Sequence, residues 1–225
     1  MLTESARELR LLYDDIHSCR KCPNVVPSST PRHLYEATVR SLIVLVAQAP
    51  SQCGVRKSGV HWVGPDGRLR PPGGVYLDKF LREIGYSIDP FAGAGYARPY
   101  TTNVLHCWTG RKGKRDRKPS REELRNCSQW RLREFEIVKP QVVILLGKLA
   151  AESSVCACGD NRSFKELLSS QGEEMTLGNI SVRRYVLPHP TARYARKSEI
   201  YRKVTESMGE TLKGHGRTMN HEYRD

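Results

Sequence analysis

The sequence lacks long hydrophobic runs, and this shortage excludes a membrane-spanning helix. Its longest apolar stretches, around residues 42–47 and 142–146, are far shorter than the roughly 20 residues that a helix needs to cross a bilayer. The N-terminal segment carries acids and arginines throughout and has no short apolar block of the kind found in secretory signals. We therefore expect no membrane association and no export, and a cytoplasmic protein of prokaryotic type.

Acidic residues are scarce relative to basic ones. The 225 residues include 37 Lys and Arg against 24 Asp and Glu, which gives a net charge of +13. Such an excess attracts polyanions, most often nucleic acid, and a merely basic solvated surface is the alternative. The length suits one core, so we expect a monomeric single domain over residues 1–210 and a polar tail over residues 211–225.

A disulfide framework is not indicated either, because the chain has seven cysteines, an odd number, and no export signal. Cys19 and Cys22 form a C-x2-C pair, and Cys107 and Cys127 have nineteen residues between them. Four such thiolates bind tetrahedral zinc or a [4Fe-4S] cluster, and spacing alone does not choose between the two. Four buried thiols are the alternative, which the position of the C-x2-C pair beside Lys21 and Pro23 disfavours. The remaining cysteines, which we interpret as bystanders, are Cys53, Cys156 and Cys158.

Four apolar, β-branched stretches indicate strands, and they span residues 41–47, 100–105, 141–146 and 180–187. The first and third are near-continuous apolar runs, as in strands buried on both faces of a parallel sheet. Helical patterns lie between the strands, at residues 76–84 and from an N-cap at Ser120, with Glu123 at the third helical position, through Val138. This alternation predicts an α/β fold, a three-layer α/β/α sandwich around a central, mainly parallel sheet of four strands.

Two basic loops, residues 50–74 and 110–118, leave the predicted strands at their carboxyl ends. In open parallel sheets, ligands bind beyond those ends. Gln48, Asn103 and His189 follow or end three of the strands, so we expect them to lie together. A histidine after a strand is either a hydrogen-bonding loop residue or a catalyst, and the convergence of three strand ends favours the second.

A series of segments follows the motif order of a known family. They are Ala47-Gln48-Ala49-Pro50-Ser51, Gly59-Val60-His61-Trp62-Val63-Gly64, Thr102-Asn103-Val104-Leu105-His106-Cys107, residues 119–127, residues 139–147 and His189-Pro190-Thr191. The corresponding family motifs are G-E-A-P-G, G-R-P-F-V-G, T-N-V-V-K-C, P-x-x-x-E with a following cysteine, K-P-x-x-I-V-x-L-G and H-P-S. Together with the C-x2-C pair, they make the chain resemble the iron-sulfur uracil-DNA glycosylases of families four and five.

The resemblance implies a monofunctional DNA glycosylase that flips uracil out of single- or double-stranded DNA and hydrolyses its N-glycosidic bond, which initiates base excision repair. Trp62, which is equally well a core residue on sequence alone, would stack on the flipped base, and Asn103 would read its O4 and N3–H edge. His189 would stabilise the charge on the departing base, helped by backbone groups near Gln48 and Ala49. Ala49 replaces the water-orienting Asp of other uracil glycosylases, so leaving-group stabilisation would dominate catalysis.

The resemblance further implies that Cys19, Cys22, Cys107 and Cys127 hold a [4Fe-4S] cluster. The chain also departs from the pattern. Gln48 and Gly54 stand where family four places Glu. Residues 47–54 match the family five pattern G-L-A-P-A-x-H-G about as well as they match the family four pattern. Residues 66–74 are an insert relative to both. We therefore expect a less strict pocket that admits hypoxanthine or mismatched bases besides uracil.

Basic residues beside the cysteines are expected to contact DNA phosphates. They are Arg111, Lys112, Lys114, Arg115, Arg117 and Lys118. Arg193 or Tyr194 is expected to fill the vacated base stack. A solvated charged loop is the alternative for the basic residues. For the whole chain, the alternatives are a non-catalytic, metal-stabilised nucleic-acid-binding module and a zinc-stabilised protein.

Overall fold

A computed structural model describes residues 3–27, 38–52, 54–156, 160–193 and 197–213. The predictions for Cys53, Cys158, Tyr194 and residues 214–225 fall outside this part of the chain. Within it, helices α1 to α7 are Glu4–Ser18, Val55–Ser58, Gly73–Arg82, Arg121–Val138, Lys148–Cys156, Phe164–Ser169 and Lys197–Lys213. Strands β1 to β9 are Val26–Pro27, Ile43–Ala47, Tyr100–Asn103, Cys107–Trp108, Arg111–Lys112, Arg115–Asp116, Val142–Leu146, Glu173–Leu177 and Ile180–Leu187.

The central sheet has the strand order β3-β2-β7-β9-β8. β2 pairs in parallel with β3 and β7, so that Val46 lies between Thr102 and Leu145, and β7 pairs in parallel with β9. These four strands are the predicted ones, and the parallel α/β sheet is confirmed. Every residue of β2 and β7 is buried, as their near-continuous apolar runs predicted.

The predicted number of strands is wrong, because the sheet has five. The fifth strand, β8, lies at the edge and pairs antiparallel with β9 through a turn at Gly178, whose φ is +61°. In β8 only Met175 and Leu177 are buried. An edge strand with one solvated face alternates between polar and apolar residues, so it lacks the continuous run by which the inner strands were recognised.

Alternate residues of β2 point to opposite faces of the sheet, and each face packs against its own helices. Val44 and Val46 contribute to one apolar core, together with residues of α1, α4, α5 and α6. Ile43 and Leu45 contribute to the other, together with residues of α3 and α7. The three-layer α/β/α arrangement is therefore confirmed.

Helix α4 begins where the sequence predicts. Ser120 accepts a hydrogen bond from the N–H of Glu123, and the Glu123 carboxylate accepts one from the N–H of Ser120, which closes a capping box. The helix ends at Val138 as expected. Helix α3, in contrast, starts at Gly73 rather than Tyr76, because its first two residues are glycines and add nothing to the apolar pattern.

Both predicted loops contain regular structure. Residues 50–74 include α2 and the start of α3, and residues 110–118 form the β5–β6 hairpin, which turns at Gly113 with a φ of +63°. Two-residue strands are too short to leave a periodic signal. At the other end, α7 continues through Lys213, past the expected domain boundary at residue 210. No helix in the described ranges is long and apolar enough to cross a membrane.

Candidate active site and cysteine site

A cavity of about 300 Å³ lies at the carboxyl ends of β2, β3 and β9. Gln48 and Ala49 follow β2, Asn103 ends β3 and His189 follows β9, and all four line the cavity. The rest of the wall comes mainly from the segment between β2 and α3. The lining residues of that segment include His61, Trp62 and Arg70, and the first two residues of α3, Gly73 and Gly74, also line the cavity. The three strand ends chosen from the sequence are thus brought to one cavity, as is Trp62.

The ring of His189 is held in one tautomer. Its Nδ1 accepts a hydrogen bond from the N–H of Thr191 at 3.3 Å and lies 2.8 Å from the hydroxyl of the same residue. A ring nitrogen that accepts from a backbone N–H carries no proton, so in the neutral ring the proton is on Nε2. His189 therefore offers one N–H donor while its other nitrogen is tied to its own loop.

The same ring is kept neutral. Burial, with a smaller contribution from the positive charge of Lys197, lowers the pKa of His189 to about 4. Helix α7 also holds the loop in place, because Lys197 donates to the carbonyl of Pro190 at 2.9 Å and the Tyr201 hydroxyl donates to that of Pro188 at 2.9 Å. At neutral pH the cavity therefore contains an uncharged imidazole in a fixed position.

The amide of Asn103 faces His61, a residue that the sequence analysis did not single out. Asn103 is buried, and its Nδ2 lies 2.8 Å from Nε2 of His61. Burial lowers the pKa of His61 to about 4, so this ring is also neutral and its Nε2 can accept the amide hydrogen. Oδ1 of Asn103 is buried without a hydrogen-bond partner among the described residues. A buried acceptor in this state costs free energy until a ligand donates to it.

Trp62 lines the same cavity as the three strand ends. Its ring packs against the apolar core beneath α3, and its centroid is 5.4 Å from that of His189. Its backbone has a φ of +65°, and its carbonyl accepts from the N–H of Arg70 at 2.7 Å. A Cβ at position 74 would come within 2.7 Å of that carbonyl oxygen, so Gly74 is what allows α3 to pack against Trp62.

The insert of residues 66–74 forms one wall of the cavity. Val63 and Leu69 pair in an isolated bridge, which folds the insert back beside Trp62 and brings Arg70 to the cavity. Arg70 adds a positive charge there, and no Asp or Glu occurs among the described residues that line the cavity. Sequence analysis missed Arg70 because the insert has no counterpart in the family motifs. The signal for His61 was its place beside Trp62, where the motif has proline.

The cysteine site is a second, mostly apolar cavity lined by Cys19, Cys22, Cys107 and Cys127, all of which are free thiols. The backbone N–H of His106 donates to Sγ of Cys127 at 3.3 Å. The side-chain amide of Asn126 donates to Sγ of Cys22 at 3.7 Å. In the part of the chain that the structure describes, no group of three or more Cys, His, Asp or Glu is arranged to hold a metal ion. The four predicted cysteines therefore surround one space without converging on a single point.

The thiols of this site are hard to ionise without a compensating cation. Burial raises the pKa of Cys127 to about 12. Burial and the nearby Cys19 and Cys22 raise the pKa of Cys107 to about 11. Four thiolates in this space would repel one another in a medium of low polarity, so a bound positive charge is needed to hold them in that form.

The β5–β6 hairpin is fastened to the segment that lines the active-site cavity. The carboxylate of Asp116 accepts from Nε1 of Trp108 at 3.1 Å and from the N–H of Gln52 at 3.2 Å. The guanidinium of Arg56 lies 4.0 Å from the centroid of the Trp108 ring. The exposed cations of the hairpin are Arg111, Lys112, Lys114 and Arg115.

Arg117, also predicted to face phosphates, has partners within the protein. Its guanidinium donates to both carboxylate oxygens of Glu123, at 2.7 and 3.0 Å, and reaches the carbonyl of Asn24 at 3.4 Å. A forked guanidinium matches a carboxylate in this way and is then occupied. Arg117 therefore joins the hairpin to α4 and to the segment that follows Cys22. Lys118 and Arg193 are exposed.

A parallel sheet whose strand ends carry a neutral imidazole, a buried amide and an aromatic ring around one cavity has the architecture of the α/β proteins whose ligand sites lie at this edge. The model of the uracil DNA glycosylase superfamily matches residues 33–213 of the chain. The chain belongs to that superfamily.

Relatives of two types resemble the chain. The type-4 uracil-DNA glycosylase of Archaeoglobus fulgidus is 30% identical over 144 residues, 61% of this chain and 59% of that protein. The type-4 enzyme of Sulfurisphaera tokodaii is 25% identical over 161 residues, 69% and 61% of the two chains. The type-5 enzyme of Pyrobaculum aerophilum is 25% identical over 226 residues, 89% and 91%. The chain thus spans about three fifths of the first two relatives, and the mixed resemblance to families four and five is confirmed.

Proposed function

We propose that the protein is a monofunctional uracil-DNA glycosylase that removes uracil from DNA and so initiates base excision repair. The observation that carries the proposal is that the neutral His189 and the unpartnered Oδ1 of Asn103 share one cavity at the strand ends. Uracil presents an N3–H donor and two carbonyl acceptors, O2 and O4. The two side chains supply the complementary groups.

Recognition in this proposal uses the edge and the plane of the base. Oδ1 of Asn103 accepts from N3–H, which gives this buried oxygen the partner that it lacks, and the free Nδ2 hydrogen donates to O4. The ring of Trp62 supplies the face on which the flipped base stacks. The base is thereby fixed in the cavity by two independent kinds of contact.

Catalysis in this proposal comes from stabilising the negative charge on the departing base. As the glycosidic bond stretches, negative charge gathers on the pyrimidine, and the Nε2–H of His189 donates to O2. The pKa of about 4 keeps the ring neutral, and the N–H of a neutral imidazole is a very weak acid, so the ring stabilises the anion through a hydrogen bond rather than by proton transfer. Arg70 and the N-terminal end of α3, which begins at Gly73 in the cavity wall, add positive potential around the same space.

Water enters late in this scheme. Ala49 has no side-chain base, and within the described ranges no carboxylate lines the cavity. The bond to the base therefore breaks well before water attacks, through an oxocarbenium-like sugar. Backbone groups near Gln48 and Ala49 are the groups proposed to hold the water.

We also propose that the cysteine site holds a [4Fe-4S] cluster. The four-thiol donor set, the N–H donors from His106 and Asn126 to sulfur, and the raised thiol pKa values all suit a positively charged iron core. When bound, the cluster supplies four iron–thiolate bonds that cross-link the end of α1 with β4 and α4. Its role in the proposal is to stabilise the scaffold, and no step of base removal passes through it.

DNA binding is assigned to exposed cations near the cavity. The hairpin residues Arg111, Lys112, Lys114 and Arg115 contact phosphates in this proposal, and Arg193 or Tyr194 fills the vacated stack. The hairpin suits this role because Asp116 and Trp108 fasten it to the segment that lines the cavity. Action as a cytoplasmic monomer stays a prediction, and gel filtration tests the oligomeric state.

The test uses freshly purified protein and a labelled oligonucleotide with one uracil, single- or double-stranded, at neutral pH. Alkali after incubation should produce a nick at the uracil and nowhere else. Binding without base release, together with indifference to Asn103→Ala, would instead support a non-catalytic nucleic-acid-binding module. A broad visible absorbance band in the same preparation is expected for the cluster, and its absence with bound zinc would refute the cluster.

A further inference from the structure

His61 occupies a position to which the family motif gives no role in base reading. The motif G-R-P-F-V-G has proline there, and a proline side chain neither donates nor accepts a hydrogen bond. In this chain the corresponding histidine reaches the base-reading amide, with Nε2 2.8 Å from Nδ2 of Asn103. The contact is therefore a property of this chain beyond the motif.

The contact fixes which way the amide points. A neutral His61 whose Nε2 accepts from Asn103 carries its proton on Nδ1. With Nδ2 turned to His61, Oδ1 and the second Nδ2 hydrogen remain for a ligand, and this pair matches the N3–H and O4 of uracil. While the proton stays on Nδ1, rotating the amide by half a turn would place Oδ1 against the lone pair of Nε2, two acceptors at hydrogen-bond distance. The lock is therefore the amide orientation together with this tautomer.

The rotated amide is the one that reads cytosine. Cytosine presents an N4–H donor and an N3 acceptor, the reverse of the uracil edge, so it needs the oxygen and nitrogen of Asn103 exchanged. We propose that His61 is a specificity-determining residue, which holds Asn103 in the orientation that reads uracil and resists the one that reads cytosine. The inference rests on the proposed uracil activity and explains how the site excludes cytosine.

The same lock makes a prediction for purines. Hypoxanthine presents an O6 acceptor and an N1–H donor, the same pair as uracil, whereas adenine presents the reversed pair. His61 therefore favours uracil over cytosine and hypoxanthine over adenine. Gly54 and Ala49 line the cavity without a bulky side chain, so other residues limit the size of the base.

The experiment measures binding and release separately. Oligonucleotides with 2′-fluoro-deoxyuridine or 2′-fluoro-deoxycytidine resist excision, and the ratio of their affinities reports the lock even in a protein that releases no base. The wild type should prefer the uracil analogue strongly. His61→Gln should keep its affinity for the uracil analogue within a few-fold, because a glutamine amide can serve either orientation of Asn103. Its preference over the cytosine analogue should fall about ten- to a hundredfold, the usual cost of mispairing a buried polar group.

His61→Leu is the matched control, since it fills similar space and offers no hydrogen bond. It should also lose the preference, and it should bind the uracil analogue more weakly than His61→Gln does. A role in packing alone predicts the opposite, with Leu preserving the preference. Preferences that stay at the wild-type value in both folded variants overturn the proposal. Uracil release by the wild type tests the glycosylase function on its own.

Nitrogen NMR of the histidine-labelled wild type tests the lock without any variant that must fold. The His61 ring should show an unprotonated Nε2 and a protonated Nδ1, whereas His189 should show the opposite tautomer. The His61 signals are assigned by their loss in His61→Leu. A protonated Nε2 on His61 would mean that it donates to Oδ1 of Asn103, and this result refutes the proposed orientation.

Discussion

Replacing His189 by alanine gives the most direct test of leaving-group stabilisation. The structure places a single neutral N–H donor from this residue in the cavity at the strand ends, with Nδ1 already occupied by Thr191. Removing one preorganised donor to a developing anion typically costs about 100- to 1,000-fold in rate, or about 3–4 kcal/mol of transition-state free energy. The loss should appear in the rate of base release rather than in DNA affinity, because the charge develops only as the bond breaks.

The assay is single-turnover release of uracil with protein in excess, followed by alkali cleavage, beside a binding measurement with the excision-resistant analogue. Thr191→Val serves as the control. It removes the hydroxyl next to Nδ1 but keeps the backbone N–H that fixes the tautomer, so its rate should fall less than tenfold. A loss below tenfold in His189→Ala, or a loss in affinity as large as the loss in rate, would refute this account of catalysis.

Three further predictions concern acid, the cysteines and the hairpin. The pKa of His61 is about 4 in the folded protein and about 6.5 in the unfolded chain. Between these values only the unfolded chain takes up the proton, so the free energy of unfolding is unaffected above pH 6.5 and falls by up to about 3 kcal/mol as the pH is lowered toward 4. Urea unfolding from pH 7 to 4.5 should show this loss, with a flatter profile in His61→Leu. Cys127→Ser should abolish the visible absorbance and lower Tm, and unchanged iron content would contradict its place in the cysteine site. Arg111→Gln with Lys112→Gln should reduce the slope of log affinity against log salt by about 2, whereas Lys165→Gln, on the exposed side of α6, should leave it unchanged.

The sequence predicts the fold best where buried positions restrict the residues to apolar ones. Strands β2 and β7 are enclosed by two apolar cores, so their residues are apolar throughout and their ends can be read from the sequence. Once the strands are parallel, Gln48, Asn103 and His189 have to meet at one edge. The capping box of Ser120 and Glu123 was equally readable, because its hydrogen bonds are local.

Long-range contacts between polar residues could not be read in this way. His61 reaches Asn103 through a turn whose course depends on the insert, and no local pattern specifies that approach. Arg117 lies in a run of exposed cations and looks like its neighbours until the fold brings Glu123 and Asn24 to it. The edge strand β8 was not predicted for a different reason, because its solvated face gives it alternating polar and apolar residues.

The wall formed by residues 66–74 has an evolutionary consequence. It meets the neighbouring segment through the bridge between Val63 and Leu69 and through backbone hydrogen bonds that join Arg70 to Trp62 and Gly64 to Arg68, and it contributes nothing to the pairing of the central strands. Natural selection can therefore lengthen, shorten or recompose the part that precedes Gly73 and Gly74 while the strand register and the positions of Asn103 and His189 stay as they are. For the proposed glycosylase, the range of bases that a lineage removes can change there by small steps, without passing through ancestors that fail to fold.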